Sequence, residues 1–206
     1  MKKKGIIVLF VIALVLGIGI FVLLKKDKKP EEVVVPEVEV IDSIDSFDYN
    51  LNDNETEYYK KLFNSLKDLL SQSDYDENEY ASLVGKLFLC DFYDLNSKVM
   101  KSDVGGTQFV YSEYRYSFEK GAIDTVYNSV ESNVYGDRNQ VLPIVTGVEV
   151  DSIYTDSFSY DDGVDYDAYY IDFSISYETD LDYPNSVSLV LIHNNDKLEI
   201  AKMETK

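Results

Sequence analysis

The pattern of hydrophobic and polar positions divides the chain into three parts, of which the first is a continuous apolar run. Residues 5–24, GIIVLFVIALVLGIGIFVLL, carry no charged or hydrogen-bonding side chain, and lysines flank them at positions 2–4 and 25–26. A helix rises about 1.5 Å per residue, so this run spans about 30 Å, the thickness of the hydrocarbon core of a bilayer. The pattern predicts a basic N-terminus and transmembrane anchor in residues 1–24, with residues 5–24 in the lipid bilayer.

A cleaved signal peptide and a pilin-like leader are the alternative interpretations of this run. The apolar region of a signal peptide is ordinarily about 7–15 residues long and ends at a cleavage site of small residues, whereas residues 21–24 are Phe, Val, Leu and Leu. Lys2-Lys3-Lys4-Gly5 resembles a pilin-like leader, but the glutamate that such proteins carry five residues after the cut would fall at Phe10. The length of the run favours an uncleaved single-pass anchor.

Residues 25–53 form the second part, in which acidic residues alternate with valines. Pro30 and Pro36 remove backbone hydrogen-bond donors, and the alternation opposes a helix. Fully extended, a segment of this length reaches at most about 95 Å. The sequence therefore predicts an extended acidic linker that holds the following domain clear of the membrane.

The third part begins with helical periodicity. Asn54, followed three residues later by Glu57, has the spacing of a capping box and predicts the start of a first helix. Asp76 with Glu79 repeats the same signal and predicts the start of a second helix. Both starts are followed by apolar residues at helical spacing, so the sequence predicts two consecutive amphipathic helices.

The second helix carries a strongly apolar pattern that includes the single cysteine. Free cysteine behaves as a small buried hydrophobe, and no histidine lies near Cys90 in the sequence, so we interpret it as a core residue. Gly105 and Gly106 are interpreted as a tight connector into a third helix over residues 108–131, capped by Thr107, although adjacent glycines also occur in anion-binding loops. The inward positions predicted for the second helix are Tyr80, Leu83, Val84, Leu87, Phe88 and Cys90.

After Pro143 the hydrophobic period changes from 3.6 to 2, which is typical of half-buried strands. The pattern predicts an antiparallel meander of three or four strands with one apolar face. Helices followed by such a sheet give the predicted fold class, an α+β domain in residues 54–206 whose helices pack on a curved C-terminal antiparallel sheet. The turns between the strands are Asp162-Gly163, Pro184-Asn185 and Asn194-Asn195-Asp196.

Three segments of the domain resemble a known group of proteins. They are KLFLCDFYDLNSK at 86–98, SDVGGTQFVYSEY at 102–114 and VYGDRNQVLPIV at 134–145. With the order of elements, they are similar to uncharacterised membrane-anchored proteins of Gram-positive-type bacteria whose topology is that of an NTF2-like or cystatin-like cone. The resemblance spans most of residues 54–206 and implies a fold, but it brings no catalytic motif, and such cones serve as enzymes, transport factors and assembly modules.

The net charge of the chain bears on its orientation in the membrane and on the partners that it can bind. The chain carries −19, and Asp27 is the only acidic residue among the first 30, so the negative charge lies in the linker and the domain. Acidic surfaces are repelled by nucleic acid and by the anionic inner leaflet. The sequence therefore predicts no nucleic-acid partner and a single-pass cell-membrane protein with its N-terminus inside and its C-terminal domain outside.

The densest acidic cluster lies at a predicted hairpin tip and is the candidate metal site. Asp161, Asp162, Asp165 and Asp167 offer carboxylate oxygens, which calcium prefers, although their spacing does not match the EF-hand loop. A solvated turn is the alternative interpretation. Calcium is the sole cofactor that the sequence suggests.

Other chemistry is sparse in this sequence. His193 is the single histidine, and we interpret it as an exposed strand end beside Asn194. One histidine supports neither a histidine-rich zinc site nor a Ser-His-Asp triad. No catalytic residue is therefore assigned.

The predicted function is a membrane-anchored extracytoplasmic module that binds an envelope protein or polymer, or that joins a membrane assembly. The 18 tyrosines are its best support, since tyrosine suits both strand faces and recognition surfaces. Tyr166 and Tyr170 are expected to form a patch on the outer face of the sheet. The alternative is an envelope hydrolase that uses carboxylates in a pocket of the cone.

Overall fold

The computed structural model of the protein describes residues 38–206. Within this range no helix has both the length and the apolar character needed to cross a membrane. The predicted anchor at residues 5–24 and the first part of the predicted linker lie outside the described residues.

The described part begins with a β-hairpin, where the sequence predicted an extended linker. Strand β1 (Val40–Ile44) pairs antiparallel with β2 (Tyr49–Asn52) across a 3₁₀ turn at Asp45–Phe47. Tyr49 is fully buried and Leu51 is 4% exposed. The linker prediction is therefore wrong for residues 40–52, because the alternation that opposes a helix also suits a half-buried strand once a core is present to cover it. The folded domain begins at β1 instead of residue 54.

Three α-helices follow within residues 38–206, and their caps differ in part from those predicted. They are α1 (Glu57–Leu70), α2 (Glu77–Tyr93) and α3 (Ser112–Asp124). The N-cap of α1 is Thr56, whose hydroxyl accepts from Tyr59 N–H at 3.2 Å, and the prediction of Asn54 was wrong. Asp76 caps α2 as predicted, accepting from Asn78 N–H at 2.9 Å.

The third helix is shorter than its hydrophobic pattern indicated. A 3₁₀ turn at Thr107–Phe109 takes up the first predicted residues, so Thr107 does not cap α3. The pattern extended too far because Val110 forms a parallel bridge to Ile200 and Tyr111 N–H donates to the carbonyl of Ile200, so these apolar residues extend the sheet.

The C-terminal half of the domain is the predicted antiparallel meander. Its strands are β3 (Val145–Tyr160), β4 (Gly163–Tyr177), β5 (Ser186–Asn194) and β6 (Lys197–Thr205), and they lie in the order β3-β4-β5-β6. The described residues thus form an α+β fold in which helices precede a four-stranded antiparallel sheet.

The core lies between α2 and one face of the sheet. Phe173 on β4 is fully buried, and its ring lies against Gly85 of α2 so closely that a methyl group at Gly85 would overlap it. All six residues predicted to point inward from α2 are buried, Cys90 among them. The helix therefore fills the space in front of this face of the sheet. The fully buried aromatic side chains include Tyr49, Tyr59, Tyr80, Tyr93, Tyr127, Phe63, Phe88, Phe92, Phe109 and Phe173.

Candidate functional site

The opposite face of the sheet carries a row of side chains that we call the outer tyrosine face. The strand register brings Tyr154 opposite Tyr170, Tyr170 opposite Val190, and Val190 opposite Lys202, one residue from each strand. Because side chains alternate along a strand, this row points away from the core residues Ile153 and Ile171. The row crosses all four strands, with Tyr154 exposed, Tyr170 half-buried and Val190 buried.

Two tyrosine rings form the centre of this face. The rings of Tyr154 and Tyr170 stack with centroids 5.2 Å apart and planes 10° from parallel. Tyr170 is fixed further by its hydroxyl, which donates to the carbonyl of Ser157 at 3.0 Å. Tyr154 is nevertheless 56% exposed, and Tyr166, the other tyrosine predicted for this patch with Tyr170, is 76% exposed. The pair thus presents the Tyr154 ring to solvent on a half-buried, hydrogen-bonded Tyr170.

Paired charges border the tyrosines. Lys206 Nζ donates to Asp172 at 2.6 Å, and Lys202 lies 2.9 Å from Glu204. The hydrogen bond from Lys206 holds the pKa of the Asp172 carboxyl below its ordinary value, and Ser188 O–H adds a second bond. A shallow cavity of about 310 Å³ lies among these groups and the two tyrosines. The face therefore combines an aromatic centre with a charged rim, as protein recognition surfaces do.

The four candidate calcium ligands lie around the β3–β4 hairpin, and the structure gives two of them protein partners. Asp162 accepts from Tyr111 O–H at 2.6 Å, whereas Asp165 accepts from the backbone and ring of His193. Asp161 and Asp167 are exposed. Within residues 38–206 no group of three His, Cys, Asp or Glu side chains is arranged to hold a metal ion. Calcium binding at these aspartates stays a prediction.

His193 is half-buried in a hydrogen-bond network, contrary to the exposed strand end that the sequence indicated. Its Nδ1 lies 2.8 Å from Asp165 Oδ2, and its Nε2 lies 3.3 Å from Glu77 Oε1. Tyr169 O–H donates to the other Glu77 oxygen at 3.1 Å. Burial raises the pKa of Asp165, but the hydrogen bonds from His193 and Asp167 outweigh burial and hold this pKa below its ordinary value. The network ties the start of α2 to β4 and β5.

A second concave site lies between β2 and the loop that precedes α3. We call it the asparagine pocket; it measures about 380 Å³, and its polar lining includes Asn50, Asn52, Asn54, Glu55 and Asp103. At its base, Lys98 and Asp91 form a buried ion pair, and their side chains are 5% and 10% exposed. The sequence analysis did not identify Asp91 or Lys98.

The loop above this ion pair contains the two adjacent glycines, and it is the tight connector that the sequence predicted. Gly106 N–H donates to Asp91 Oδ2 at 2.6 Å, and Gly106 has a φ of 75°, in the left-handed region that favours glycine. A side chain at Gly105 would overlap the backbone and carboxylate of Asp91. The glycines therefore serve to bring the loop against a protein carboxylate. An aspartate in the apolar run LFLCDFY is the sequence signal of such a buried, partnered charge.

The electrostatics of the asparagine pocket are unusual. Burial, followed by the negative charge of Asp91, raises the pKa of Glu55 from 4.5 to about 8. Burial acts to lower the pKa of Lys98, but Asp91 and Glu55 outweigh it and raise this pKa overall. The pocket thus contains a carboxyl group that holds its proton near neutral pH and an ammonium that stays charged.

Comparison of the chain with protein-family models, curated proteins and solved structures found no match. The geometry of these sites is therefore the evidence for their chemistry.

Acid–base and nucleophilic chemistry have few candidates among the described side chains. Cys90 is 1% exposed, and burial raises the pKa of its thiol well above the ordinary value, so it is a core residue as predicted. Both Asp91 oxygens are occupied, one by Lys98 and one by Gly106. Glu55 is the pocket carboxyl whose pKa is raised towards neutral pH, and Asp103 also lines the pocket, whereas the outer tyrosine face offers contact surface.

Proposed function

We propose that the protein is a membrane-anchored extracytoplasmic module that binds an envelope protein or polymer through its outer tyrosine face. The observation that carries this proposal is the stacked pair of Tyr154 and Tyr170, in which Tyr154 is 56% exposed and Tyr170 is half-buried beneath it. Tyrosine supplies a large, rigid contact area at a low cost in conformational entropy, and it is enriched among the residues that dominate binding energy. Partner binding is the natural use of such a surface.

The filled interior of the fold supports binding over catalysis. An enzyme built on a cone of this kind needs an open pocket between helix and sheet, and here Gly85 of α2 lies against Phe173 of β4. The helices packed on a four-stranded antiparallel sheet are consistent with the proposed NTF2-like or cystatin-like cone of membrane-anchored proteins from Gram-positive-type bacteria.

The proposed location rests on the apolar run at residues 5–24 and on the acidic domain. We place residues 5–24 in the cell membrane, the N-terminus inside and the domain outside. Protease added to intact cells is expected to remove the domain, and full protection of the domain contradicts this orientation. Recovery of a soluble chain that begins near residue 25 indicates cleavage instead.

An envelope hydrolase is the second candidate function, and the protonated Glu55 in the asparagine pocket favours it. A carboxylic acid with a pKa near the working pH is suited to general acid catalysis. Glycoside hydrolysis, however, ordinarily uses two carboxylates, and Asp91 is already bound to Lys98 and Gly106. Binding therefore remains the primary proposal.

Crosslinking and pull-down from native membranes test the binding proposal. The full chain is expected to capture a partner, and the double variant Tyr154→Ala/Tyr170→Ala is expected to lose at least about tenfold in capture, since interface tyrosines often contribute about 2 kcal/mol. Tyr116→Ala/Tyr135→Ala is the matched control, because these tyrosines are 75% and 71% exposed and lie outside the row.

Equal capture by both double variants contradicts the assignment of the outer tyrosine face. Absence of any partner, together with turnover of an envelope substrate by the same chain and its loss in Glu55→Gln, favours the hydrolase instead.

A further inference from the structure

We propose that the asparagine pocket binds a small neutral or amine-bearing saccharide. Nothing in the proposed partner surface requires this site, since none of the residues of the outer tyrosine face lines the pocket. Its volume of about 380 Å³ lies in the range of small-molecule sites. Three features of its lining favour such a ligand.

The first feature is a row of side-chain amides. Along β2, Tyr49 and Leu51 point into the core, so Asn50 and Asn52 point to the opposite side, and Asn54 follows two residues later. All three line the pocket, and none of their side-chain amides makes a hydrogen bond to another residue within 38–206. Each amide presents donors and an acceptor together. A row of such groups matches the hydroxyls of a sugar, which also donate and accept.

The backbone of this row is held in place by a side chain. Gln108 Oε1 accepts from Asn50 N–H at 2.9 Å, and Gln108 Nε2 donates to the Asn50 carbonyl at 3.1 Å. Gln108 Nε2 also donates to the hydroxyl oxygen of Tyr59, which is a buried residue. The amides therefore stand on a fixed strand before any ligand arrives, which lowers the entropic cost of binding.

The second feature is the charge of the pocket. Asp103 lines it with a carboxylate that also accepts from Val99 N–H at 2.9 Å, whereas Glu55 lines it with a carboxyl group that is neutral near neutral pH. The ammonium of Lys98 is already paired with Asp91 and is nearly buried, so it offers little to an anionic ligand. Phosphorylated and carboxylate-bearing sugars are thus disfavoured, and the ligand is neutral or carries an amine.

The third feature is an apolar side wall. Val38, Val40 and Val104 also line the pocket, and Val40 is 53% exposed. Exposed apolar side chains beside a polar row suit a ligand that has C–H groups on one side and hydroxyls on the other. A sugar ring has this character, whereas a metal ion or a simple amine does not.

Ligand-observed NMR and calorimetry on the full chain test the proposal. The chain is solubilised in a detergent without a sugar head group and titrated with chitobiose, cellobiose and glucosamine, with glucose 6-phosphate as the anionic comparison. At least one of the first three probes is expected to bind with a dissociation constant of about 1 mM or better, and glucose 6-phosphate at least about tenfold more weakly.

Variants then assign the binding to the pocket. Asn52→Ala/Asn54→Ala is expected to weaken the binding at least about tenfold, since two hydrogen bonds are lost. Asn64→Ala, on the exposed side of α1, is the control and is expected to bind as the parent does. Glu55→Ala is a second variant that removes a hydrogen-bonding carboxyl group from the pocket without changing the hairpin.

Three results overturn the proposal. The first is that none of the three probes binds at about 10 mM. The second is that glucose 6-phosphate binds as tightly as those probes or more tightly. The third is that the folded pocket variants bind the probes as tightly as the parent chain does. Partner capture through the outer tyrosine face is expected to be unchanged in the same variants, so failure of the saccharide site and failure of the proposed function give different results.

Discussion

The ammonium of Lys98 and the carboxylate of Asp91 form an ion pair that is buried beneath the loop of Gly105 and Gly106. Asp91 lies in α2, and Lys98 follows the short 3₁₀ turn at Leu95–Ser97. The pair joins the helix, the turn and the loop, and it forms the base of the asparagine pocket. It therefore serves the stability of the fold and the shape of the pocket together.

Loss of one partner of this pair is expected to be costly. Lys98→Met leaves Asp91 as an unpaired buried charge and is expected to lower the free energy of unfolding by about 3–5 kcal/mol, measured by urea denaturation. Lys202→Ala breaks the exposed pair with Glu204 and is the control, with an expected change of about 0–1 kcal/mol. Equal effects of the two variants contradict a buried, energetically important pair.

Alanine substitution at two helix glycines is expected to change the stability of the fold in opposite directions. Gly85→Ala places a methyl group against the Phe173 ring and is expected to destabilise the fold by about 1–3 kcal/mol. Gly121→Ala meets no atom within 4 Å and is expected to stabilise α3 by about 0.5–1 kcal/mol. Thermal unfolding of both variants measures the difference, and tolerance of Gly85→Ala contradicts the close packing of α2 on the sheet.

Glu55 is expected to make stability depend on pH. Its pKa in the folded chain is about 8 and its ordinary value is 4.5, so the folded chain holds this proton more tightly than the unfolded chain does. The contribution to stability is full below pH 4.5 and is lost as pH rises towards about 8. Melting temperatures across this range are expected to fall for the parent chain and to fall less for Glu55→Gln. Identical pH profiles would show that Glu55 titrates normally.

His193 is expected to control the pKa of Asp165. The backbone N–H and the ring of His193 both hold this pKa below its ordinary value. His193→Ala removes the ring hydrogen bond and leaves the backbone one, so it is expected to raise the pKa of Asp165 part of the way towards its ordinary value. In the parent, this contribution to stability is present above the ordinary pKa and is lost as pH falls through the lowered value. NMR titration of the carboxyl carbons measures the change. Asp172, whose partner is Lys206, provides an internal control that is expected to be unchanged.

Calcium binding at the β3–β4 hairpin is the remaining prediction from the sequence. Calorimetry of the solubilised chain is expected to give heat at millimolar calcium that Asp162→Ala/Asp165→Ala removes. The absence of heat, or heat that is unchanged in the double variant, disposes of the hypothesis. Because Asp162 binds Tyr111 and Asp165 binds His193, calcium binding also requires these two bonds to rearrange.

Features that depend on near neighbours in the chain were predictable from the amino-acid pattern alone. Asp76 was identified as a cap because its partner, Asn78 N–H, lies two residues away. The change to a period of 2 after Pro143 predicted an antiparallel meander of three or four strands, of which the structure has four, and the apolar run around Cys90 predicted a buried helix. Helix periodicity and strand alternation are set by local geometry, so they can be seen in the sequence before any tertiary contact is known.

The contacts between residues far apart in the chain depend on how the folded elements pack together. The hairpin at residues 40–52 is buried because later elements cover Tyr49, whose hydroxyl bonds to Tyr80 and to the Leu198 carbonyl. His193 reaches Glu77 across 116 residues of sequence, and Asp91 with Lys98 depends on a loop that closes over them. A hydrogen bond or ion pair of this kind depends on the packing of several elements together, and local periodicity does not predict that packing.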